Sequence, residues 1–437
     1  MKILRRLLLP CAILLWCCAC HGPHIASGPK TDEFPAETRP DTLQAAPQAA
    51  SDTLVKPAPT DSTDLRTTPG QDIASALLEL VSDPLFERTQ LGLYVYDLTD
   101  DRPLFSRGHQ QRLRPASTMK LVTAITALDC LGTDYLFATT LYADNNATQD
   151  SVLRGHLYVR AGFDPLFDKA DLQSFVDSLT KQGVRSIRGD LVLDLHCKDR
   201  LPAGWGWCWD DDNPPLTPLL IDGRDRFAEE FTALLRQNGI DFTGQIREGS
   251  ASKSAREICR RTHTMDQILL PMLKESNNLM AESMFYQIAA YKKATDAGRR
   301  EAAVVEGSLL GRLGLAATDY QVADGSGLSL YNYLTPECLV ALLRHAYRTP
   351  AIYRHLLPAL PVAATDGTLR KRMHGTPAAG NVRAKTGTVE GVSTLAGYAT
   401  TAEGHLLAFA IMNQGQARNA TARHFQDRVC EALTRPY

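Results

Sequence analysis

Hydrophobic and polar residues alternate with two different periods along the chain, and these periods separate predicted strands from predicted helices. Residues 91–97 (Leu-Gly-Leu-Tyr-Val-Tyr-Asp) alternate with a period close to two, and residues 104–106 follow after a turn. This pattern predicts a β-hairpin. Later stretches with an extended pattern are residues 192–195, 380–386, 394–398 and 406–412. Strands near both ends with helices between them predict an antiparallel sheet packed on helices, with the N- and C-terminal strands adjacent.

Apolar residues three or four positions apart predict the helices. The predicted helices cover residues 73–81, 117–131, 169–182, 227–237, 336–347 and 422–433. A strongly helical pattern also runs from Thr264 to Tyr291 and has Ser276 near its middle. Gly132 and Gly183 stand where two of these helices should end, because glycine is the favoured residue just after a helix.

Residues 143–261 have a strand-helix-strand pattern of their own. We therefore predict that this block is an inserted, smaller α/β domain, and that residues 73–142 and 262–437 together form one catalytic domain. The part of the chain after the N-terminal region, about 365 residues, is long enough for two domains. The predicted fold class is α+β.

The N-terminal twenty residues have the pattern of a targeting segment. Lys2, Arg5 and Arg6 precede an apolar run over residues 7–16, which is too short to span a bilayer as a stop-transfer helix. Residues 1–20 are therefore predicted to be a signal peptide. Ala19-Cys20 resembles the end of a bacterial lipobox, which predicts a lipid anchor at Cys20 in the outer or inner membrane. An ordinary cleaved signal that is rich in cysteine is the alternative.

Residues 21–72 are rich in Pro, Ser, Thr and Ala and contain few large apolar side chains. Such a segment buries too little apolar surface to offset the entropy cost of ordering it. We predict a disordered stalk, which suits a tether between an anchor and a folded domain.

Charge and residue counts exclude several classes of function. The net charge is −2, so there is no basic field that would favour nucleic acid. The eleven histidines show no metal-ligand spacing, and no metal or other cofactor is predicted. The sequence Asp324-Gly-Ser326-Gly lacks the context of a nucleophile elbow and is interpreted as a turn.

Six cysteines lie outside the leader. Cys130, Cys338 and Cys430 stand in apolar, helix-like patterns, which predicts free buried thiols. Cys197 and Cys208 flank a loop rich in tryptophan, and from the sequence they could either pair or remain free.

The first candidate catalytic pair is Ser117 and Lys120. Their side chains share one face of a predicted helix because they are three positions apart. A serine hydroxyl needs an adjacent base to become a nucleophile, and a lysine becomes a base if desolvation or a nearby cation, such as Lys385, lowers its pKa. A helix cap with a surface lysine is the alternative, but the apolar character of this helix favours a buried lysine.

Two further motifs supply polar groups of the kind that such a serine would need. Ser276 and Asn278 offer a hydroxyl to relay a proton and an amide to hold a substrate carbonyl; a polar helix end is the alternative. Lys385, Thr386, Gly387 and Thr388 lie in a predicted strand that could bind a substrate along its edge.

Within that strand, Lys385 and Thr386 suit a terminal carboxylate, and Gly387 permits close backbone approach. The N–H groups of Ser117 and Thr388 could form an oxyanion hole. Arg383 should point the same way as Lys385.

Together these motifs resemble the serine D-Ala-D-Ala carboxypeptidases of the class C low-molecular-mass penicillin-binding proteins, peptidase family S13. The resemblance covers residues 73–437, and further passages similar to the family are residues 161–165, 188–194, 324–329 and 365–388. It implies a serine β-lactamase/transpeptidase-like catalytic domain, with Ser117 as the acylated nucleophile and Lys120 as the base. The Ser117–Ser276 interval is shorter than in members with two inserted domains, which implies that one insert is reduced or missing.

The same resemblance implies an exported carboxypeptidase of the periplasm or cell envelope. Its partners would be peptidoglycan stem peptides ending in D-Ala-D-Ala, with β-lactams as inhibitors. Endopeptidase action on D-Ala cross-links stays open, because both reactions attack the carbonyl of a D-alanine. Two alternatives also stay open: a β-lactamase on the same fold, for which we find no deacylating base, and a catalytically inert peptidoglycan-binding scaffold.

Overall fold

The computed structural model of the chain describes residues 71–145 and 148–436. The predicted signal peptide, the candidate anchor Cys20 and residues 21–70 of the predicted stalk lie outside the described residues. No helix among the described residues is long and apolar enough to cross a membrane.

Fourteen strands are present in the described residues. In chain order they are β1 (Gln90–Asp97), β2 (Arg102–Arg107), β3 (Leu136–Ala143), β4 (Thr148–Gln149), β5 (Val152–Leu153), β6 (Leu157–Arg160), β7 (Ser186–Ile187), β8 (Leu191–Asp194), β9 (Asp241–Phe242), β10 (Ile246–Glu248), β11 (Arg256–Thr264), β12 (Arg383–Val389), β13 (Val392–Thr400) and β14 (Leu406–Gln414).

The same residues contain ten α-helices. They are α1 (Gln71–Val81), α2 (Met119–Cys130), α3 (Lys169–Lys181), α4 (Phe227–Gln237), α5 (Met265–Lys274), α6 (Asn278–Lys292), α7 (Arg299–Arg312), α8 (Pro336–Arg348), α9 (Pro350–Ala359) and α10 (Asn419–Thr434). The sequence patterns did not predict α7 or α9.

The first sheet has the strand order β12-β13-β14-β1-β2, and all its neighbours are antiparallel. Strands β1 and β14 pair along their full length, so the predicted adjacency of the N- and C-terminal strands is confirmed. Side chains of β14 alternate between two cores: Phe409 and Ile411 pack with α1 and α10, and Ala410 and Met412 pack with α2 and α8. Both faces of the sheet are thus covered by helices, and the predicted α+β class is confirmed.

The second sheet belongs to the inserted region and has the order β10-β8-β6-β3-β11. A small third sheet, β4-β5-β7-β9, lies in the same region. A separate apolar core that includes Phe167, Phe175 and Phe231 fills this region. Strands β3 and β11 pair with each other and form one side of the second sheet, so the sheet extends beyond both ends of the predicted block 143–261. The domain limits drawn from the sequence stay a prediction.

The inserted region also packs on helix α6 of the catalytic part. Ser283 and Gln287 of this helix donate hydrogen bonds to the carbonyl oxygens of Phe163 and Gly162. The ring of Phe163 stacks on Tyr286 with centroids 5.9 Å apart. The passage 161–165, singled out in the sequence, is therefore a loop by which the inserted region contacts the helix that begins at Asn278.

One expectation from the sequence needs correction, and one open question is answered. The helical pattern from Thr264 to Tyr291 forms two helices, α5 and α6, because Ser276 adopts φ +61° and the Asn277 side chain caps the Met280 N–H of the next helix. Cys197 and Cys208, which from the sequence could either pair or remain free, are both free. Cys338 and Cys430 are free and buried as predicted, and Cys130 is free but only partly buried.

Candidate active site

Ser117 lies in a single 3-10 turn, Ala116–Thr118, immediately before α2. It therefore precedes the α-helix that the sequence predicted to begin at this serine. Ala116 has φ +44°, a left-handed conformation that costs energy for a residue other than glycine. Helix α2 behind it is almost completely buried. Ser117 itself is partly exposed, so the hydroxyl group stands at the end of a rigid, buried helix.

The Lys120 side chain is fully buried and points its ammonium group at the Ser117 hydroxyl. Its Nζ lies 3.1 Å from Ser117 Oγ, 2.8 Å from Asn278 Oδ1 and 2.7 Å from the carbonyl oxygen of Ser326. Burial lowers the pKa of Lys120 to about 8, against the opposing effect of the Asp324 and Glu282 carboxylates. The lowered pKa increases the fraction of Lys120 that is neutral near neutral pH, and a general base must be neutral to accept a proton.

The Ser326 carbonyl belongs to a turn that the sequence analysis interpreted only as structural. Glu282, buried on α6, accepts the Ser326 N–H at 2.8 Å. Asp324 accepts the Gly327 N–H at 2.8 Å. Gly327 has φ +79°, and a Cβ there would lie 1.9 Å from the Ala116 carbonyl oxygen, so only glycine lets this turn pack against the turn of Ser117. The glycines on either side of Ser326 were the signal that could have marked a functional turn.

Ser276 and Asn278 reach the site from the break between α5 and α6. Asn278 is the first residue of α6, and its Oδ1 accepts the Lys120 hydrogen bond. The Ser276 Oγ accepts a hydrogen bond from Lys385 Nζ at 2.8 Å. The second motif thus contacts both lysines, one through each of its polar side chains.

Lys385 is fully buried on β12, and its Nζ also lies 2.7 Å from the Thr386 carbonyl oxygen. Burial lowers its pKa well below the usual value, and the Lys120 cation lowers it further. The sequence left two possible causes for a lowered pKa at Lys120, desolvation or a nearby cation such as Lys385, and burial is the cause. The two amines are close enough that charging one disfavours charging the other.

Strand β12 is an edge strand, as predicted, and it runs directly past Ser117. A Cβ placed on Gly387 would lie 2.7 Å from the Pro115 carbonyl oxygen and 2.9 Å from the Ser117 nitrogen. The Thr386 hydroxyl donates to Thr368 Oγ1 at 2.8 Å, and Thr388 is exposed. Gly387 therefore brings the outer edge of the sheet into contact with the backbone of the candidate nucleophile.

The structure thus brings the five residues together in two neighbouring sets of hydrogen bonds: Lys120 with Ser117 and Asn278, and Lys385 with Ser276. Together the two sets can activate a hydroxyl, relay a proton and attract an anion. In the part of the chain that the structure describes, one group of side chains is close enough to hold a metal ion: Asp97, Asp100 and His405. None of these three belongs to the motifs.

Comparison with protein families and curated proteins gives a consistent result. The D-Ala-D-Ala carboxypeptidase 3 (S13) family matches residues 73–224 and 220–435. A D-alanyl-D-alanine carboxypeptidase of Actinomadura sp. (strain R39) is 29% identical over 462 residues, covering 83% of this chain and 84% of the relative. The D-alanyl-D-alanine carboxypeptidase DacB of Haemophilus influenzae is 25% identical over 414 residues, covering 75% of this chain and 86% of the relative.

Solved structures show the same fold. Penicillin binding protein 4 (DacB) of Haemophilus influenzae superposes with a TM-score of 0.74 at 23% identity, covering 85% of this chain and 100% of that protein. The same protein in complex with a β-lactam gives a TM-score of 0.69. A predatory peptidoglycan endopeptidase from Bdellovibrio bacteriovorus gives a TM-score of 0.55 at 18% identity, covering 79% of this chain and 92% of that protein.

Proposed function

The chain belongs to the D-Ala-D-Ala carboxypeptidase 3 (S13) family, and on this premise we propose that it is an exported serine-type D-alanyl-D-alanine carboxypeptidase. Its substrates are peptidoglycan stem peptides that end in D-Ala-D-Ala, and β-lactams inhibit it. The observation that carries the proposal is the buried Lys120 amine 3.1 Å from the Ser117 hydroxyl. This arrangement is what a serine nucleophile with a lysine base requires.

In the first step, neutral Lys120 takes the proton of the Ser117 hydroxyl while Oγ attacks the carbonyl carbon of the penultimate D-alanine. The tetrahedral oxyanion is stabilised by the backbone N–H groups of Ser117 and Thr388. Gly387 supports this role because it keeps β12 in contact with the Ser117 backbone. The Asn278 side chain orients Lys120 through its Oδ1.

In the second step, the bond between the carbonyl carbon and the terminal D-alanine nitrogen breaks. The proton on Lys120 reaches the leaving amine through the Ser276 hydroxyl, which is hydrogen-bonded to Lys385. Lys385 and Thr386 bind the terminal carboxylate, and D-alanine departs while the shortened peptide remains as an ester on Ser117. Water then hydrolyses the ester and frees the serine.

The decisive experiment labels Ser117. Incubation with benzylpenicillin followed by peptide mass spectrometry should find one adduct on the Ser117 peptide, and Ser117→Ala should abolish it. Purified wild type should also release D-alanine from a pentapeptide stem. Rapid turnover of the penicillin would favour the β-lactamase alternative. A protein with neither adduct nor D-alanine release would be the inert scaffold.

The balance between carboxypeptidase and endopeptidase action rests on substrate presentation, because the bond chemistry is the same for both. Digestion of purified sacculi followed by muropeptide analysis distinguishes them. Loss of pentapeptides alone identifies a carboxypeptidase, and loss of cross-linked dimers identifies an endopeptidase as well.

We further propose that the mature chain is held to the outer or inner membrane through lipid on Cys20. The support is the Ala19-Cys20 pair and the Pro/Ser/Thr/Ala-rich composition of residues 21–72. Cys20→Ala should move the protein from the membrane fraction to the soluble periplasmic fraction. Soluble wild-type protein with an N-terminus other than Cys20 would contradict the anchor.

A further inference from the structure

The carbonyl oxygen of Ser326 is the backbone group that accepts a hydrogen bond from Lys120, at 2.7 Å. Its position depends on Asp324, whose side chain is buried and accepts four hydrogen bonds. Three come from within the same loop: the N–H groups of Gly327 and Ser329, at 2.8 and 2.6 Å, and Asn332 Nδ2, at 2.6 Å. Asp324 therefore fixes the shape of the turn that presents the Ser326 carbonyl.

The fourth donor comes from the inserted region. The indole Nε1–H of Trp207 donates to Asp324 Oδ2 at 2.8 Å, across 117 residues of sequence. The same loop of the insert makes two more hydrogen bonds nearby: Ser329 Oγ donates to the Trp205 carbonyl oxygen at 2.7 Å, and the Leu330 N–H donates to the Gly206 carbonyl oxygen at 3.4 Å. Of these three hydrogen bonds, the one from the Trp207 indole is the one that the Asp324 carboxylate accepts.

We propose that Trp207 is a positioning residue for Lys120, because its indole N–H holds Asp324 and thereby the Ser326 carbonyl that binds the lysine. The inserted region then contributes to the catalytic step itself. This inference rests on the proposed function, since it takes Lys120 to be the base that activates Ser117.

The chemistry favours transmission through these hydrogen bonds. A buried acceptor that loses a hydrogen-bond donor is left unsatisfied, which costs free energy and favours a rearrangement of the groups around it. If Asp324 rotates, the N–H groups of Gly327 and Ser329 follow, and the Ser326 carbonyl leaves Lys120. Glu282 holds the Ser326 N–H from the opposite side, so the turn is bound at two points.

Trp207→Phe tests the proposal by removing the indole N–H and keeping an aromatic ring. The acylation rate constant with benzylpenicillin should fall at least tenfold. The acid limb of its pH profile should move to lower pH, because Lys120 loses an acceptor that stabilises its charged form. The ionisable groups near Lys120, namely Lys385, Glu282 and Asp324, are the same in this variant as in wild type. Trp209→Phe is the matched control: it lies in the same loop, its side chain is exposed, and its rate and pH profile should equal those of wild type.

A double-mutant cycle separates transmission through the lysine from general damage. In a Lys120→Ala background, Trp207→Phe should slow the residual acylation less than twofold. Ser329→Ala, which removes the Ser329 Oγ bond to the Trp205 carbonyl and leaves the indole bond intact, should keep the wild-type pH profile. Additive effects in the cycle, or an equal shift of the pH profile in Ser329→Ala, would overturn the inference.

Failure of the proposed function and failure of the Trp207 inference give different results. If wild type forms no adduct on Ser117, the proposed function fails before Trp207 is tested. If wild type is acylated and Trp207→Phe behaves like Trp209→Phe, the inference alone is wrong. Thermal unfolding of each variant shows whether a slow variant is folded, and a slower rate with an unchanged pH profile also counts against positioning.

Discussion

Lys120 and Lys385 are two fully buried amines with different partners. Lys120 contacts the nucleophile, an amide and a backbone carbonyl, whereas Lys385 contacts the Ser276 hydroxyl and the carbonyl of its own strand neighbour. A buried ammonium group is unfavourable unless it is hydrogen-bonded, and burial here lowers the pKa of both. In the proposed function, Lys120 exchanges a proton with Ser117 and Lys385 attracts the anionic end of the substrate.

The pH dependence of acylation should follow Lys120. Because its pKa is about 8 and only the neutral amine accepts the serine proton, the acylation rate constant should rise with pH and level off above about 8. Lys120→Arg keeps a cation that stays charged, and should therefore lose roughly 10²- to 10⁴-fold in rate at pH 8. Stopped-flow acylation between pH 6 and 10 measures both effects. A profile that is flat over this range would show that another group is the base.

The side chains that the structure brings together at the candidate site could be found from the sequence, because they stand in three short motifs. The backbone groups that contact these side chains could not be predicted. The Ser326 carbonyl that binds Lys120 has no residue-type signature, since every residue carries a carbonyl. Glu282 lies in a helix whose other buried residues are mostly apolar, and only the three-dimensional contact with Ser326 shows why an acid is there.

Among the secondary-structure elements, strand β12 determines how close the proposed substrate-binding edge of the first sheet lies to Ser117. The strand pairs with β13 on one side and presents its other edge to the cleft. Its glycine is packed on one side by the Thr394 hydroxyl and on the other by the turn that precedes α2. The close fit makes the distance between strand and nucleophile sensitive to a single methyl group.

Gly387→Ala should therefore slow acylation strongly. The added Cβ would lie 2.7 Å from the Pro115 carbonyl oxygen and 2.9 Å from the Ser117 nitrogen, which are backbone atoms that must move. We expect at least a tenfold loss in the acylation rate constant with benzylpenicillin, because a shift of about 1 Å at a reacting group costs about 10²-fold.

Gly311→Ala is the control for this substitution. Gly311 lies in helix α7, and a Cβ there meets no atom within 4 Å. Alanine also has the higher helix propensity, so this variant should be as active as wild type and equally or more stable. If Gly387→Ala keeps full activity, the strand is free to move, and the close contact with Ser117 is not required for acylation.

Elements with a clear period could be predicted, and those without one could not. Helix α7 contains three arginines, two glutamates and two glycines within Arg299–Arg312, so its pattern does not mark a buried face. The break between α5 and α6 was missed because the positive φ of Ser276 is a property of the assembled site, which includes its bond to Lys385. Local sequence cannot report a conformation that distant residues stabilise.

Across the whole molecule, the sandwich of helices around the antiparallel sheet could be predicted from the order of strands and helices. The contacts between the inserted region and the catalytic part could not, because they join loops far apart in sequence. Trp207 reaches Asp324 across 117 residues, and Ser283 reaches the Phe163 carbonyl across 120. Neither contact follows a periodic pattern that a single sequence could reveal.

The stability of the whole fold should depend on pH through Glu306. This residue is fully buried, and within the described residues neither of its carboxylate oxygens has a hydrogen-bond partner. Burial raises its pKa well above the usual 4.5, with the Asp324 and Glu282 carboxylates adding to the effect. The folded state therefore holds a proton that the unfolded chain releases. The stability from Glu306 is full below pH 4.5 and decreases as pH rises toward the folded-state pKa.

Glu306→Gln should remove this dependence, because glutamine has nearly the same shape and does not titrate. The melting temperature of the variant relative to wild type should increase between pH 5 and pH 8, reaching at least about 2 °C at pH 8. Glu301→Gln on the same helix is the control: the Gly298 N–H lowers the pKa of Glu301, so this carboxylate is ionised in both states above pH 5 and the difference from wild type should stay constant between pH 5 and pH 8. A difference that stays constant with pH for Glu306→Gln would contradict the proposed protonation.

The position of β14 in the first sheet has a consequence for how the protein is made. This strand is almost entirely buried between β13 and β1, yet among the described residues it comes last of the strands and is followed by α10. The N-terminal strands cannot join the sheet until the final thirty or so residues have emerged, because contacts so distant in sequence form late. The turn that carries Ser117 can therefore be held against a complete first sheet only after β14 has joined β1 and β13. Truncation before Leu406 would divide the first sheet into the pairs β12–β13 and β1–β2, because β14 is the strand that joins them.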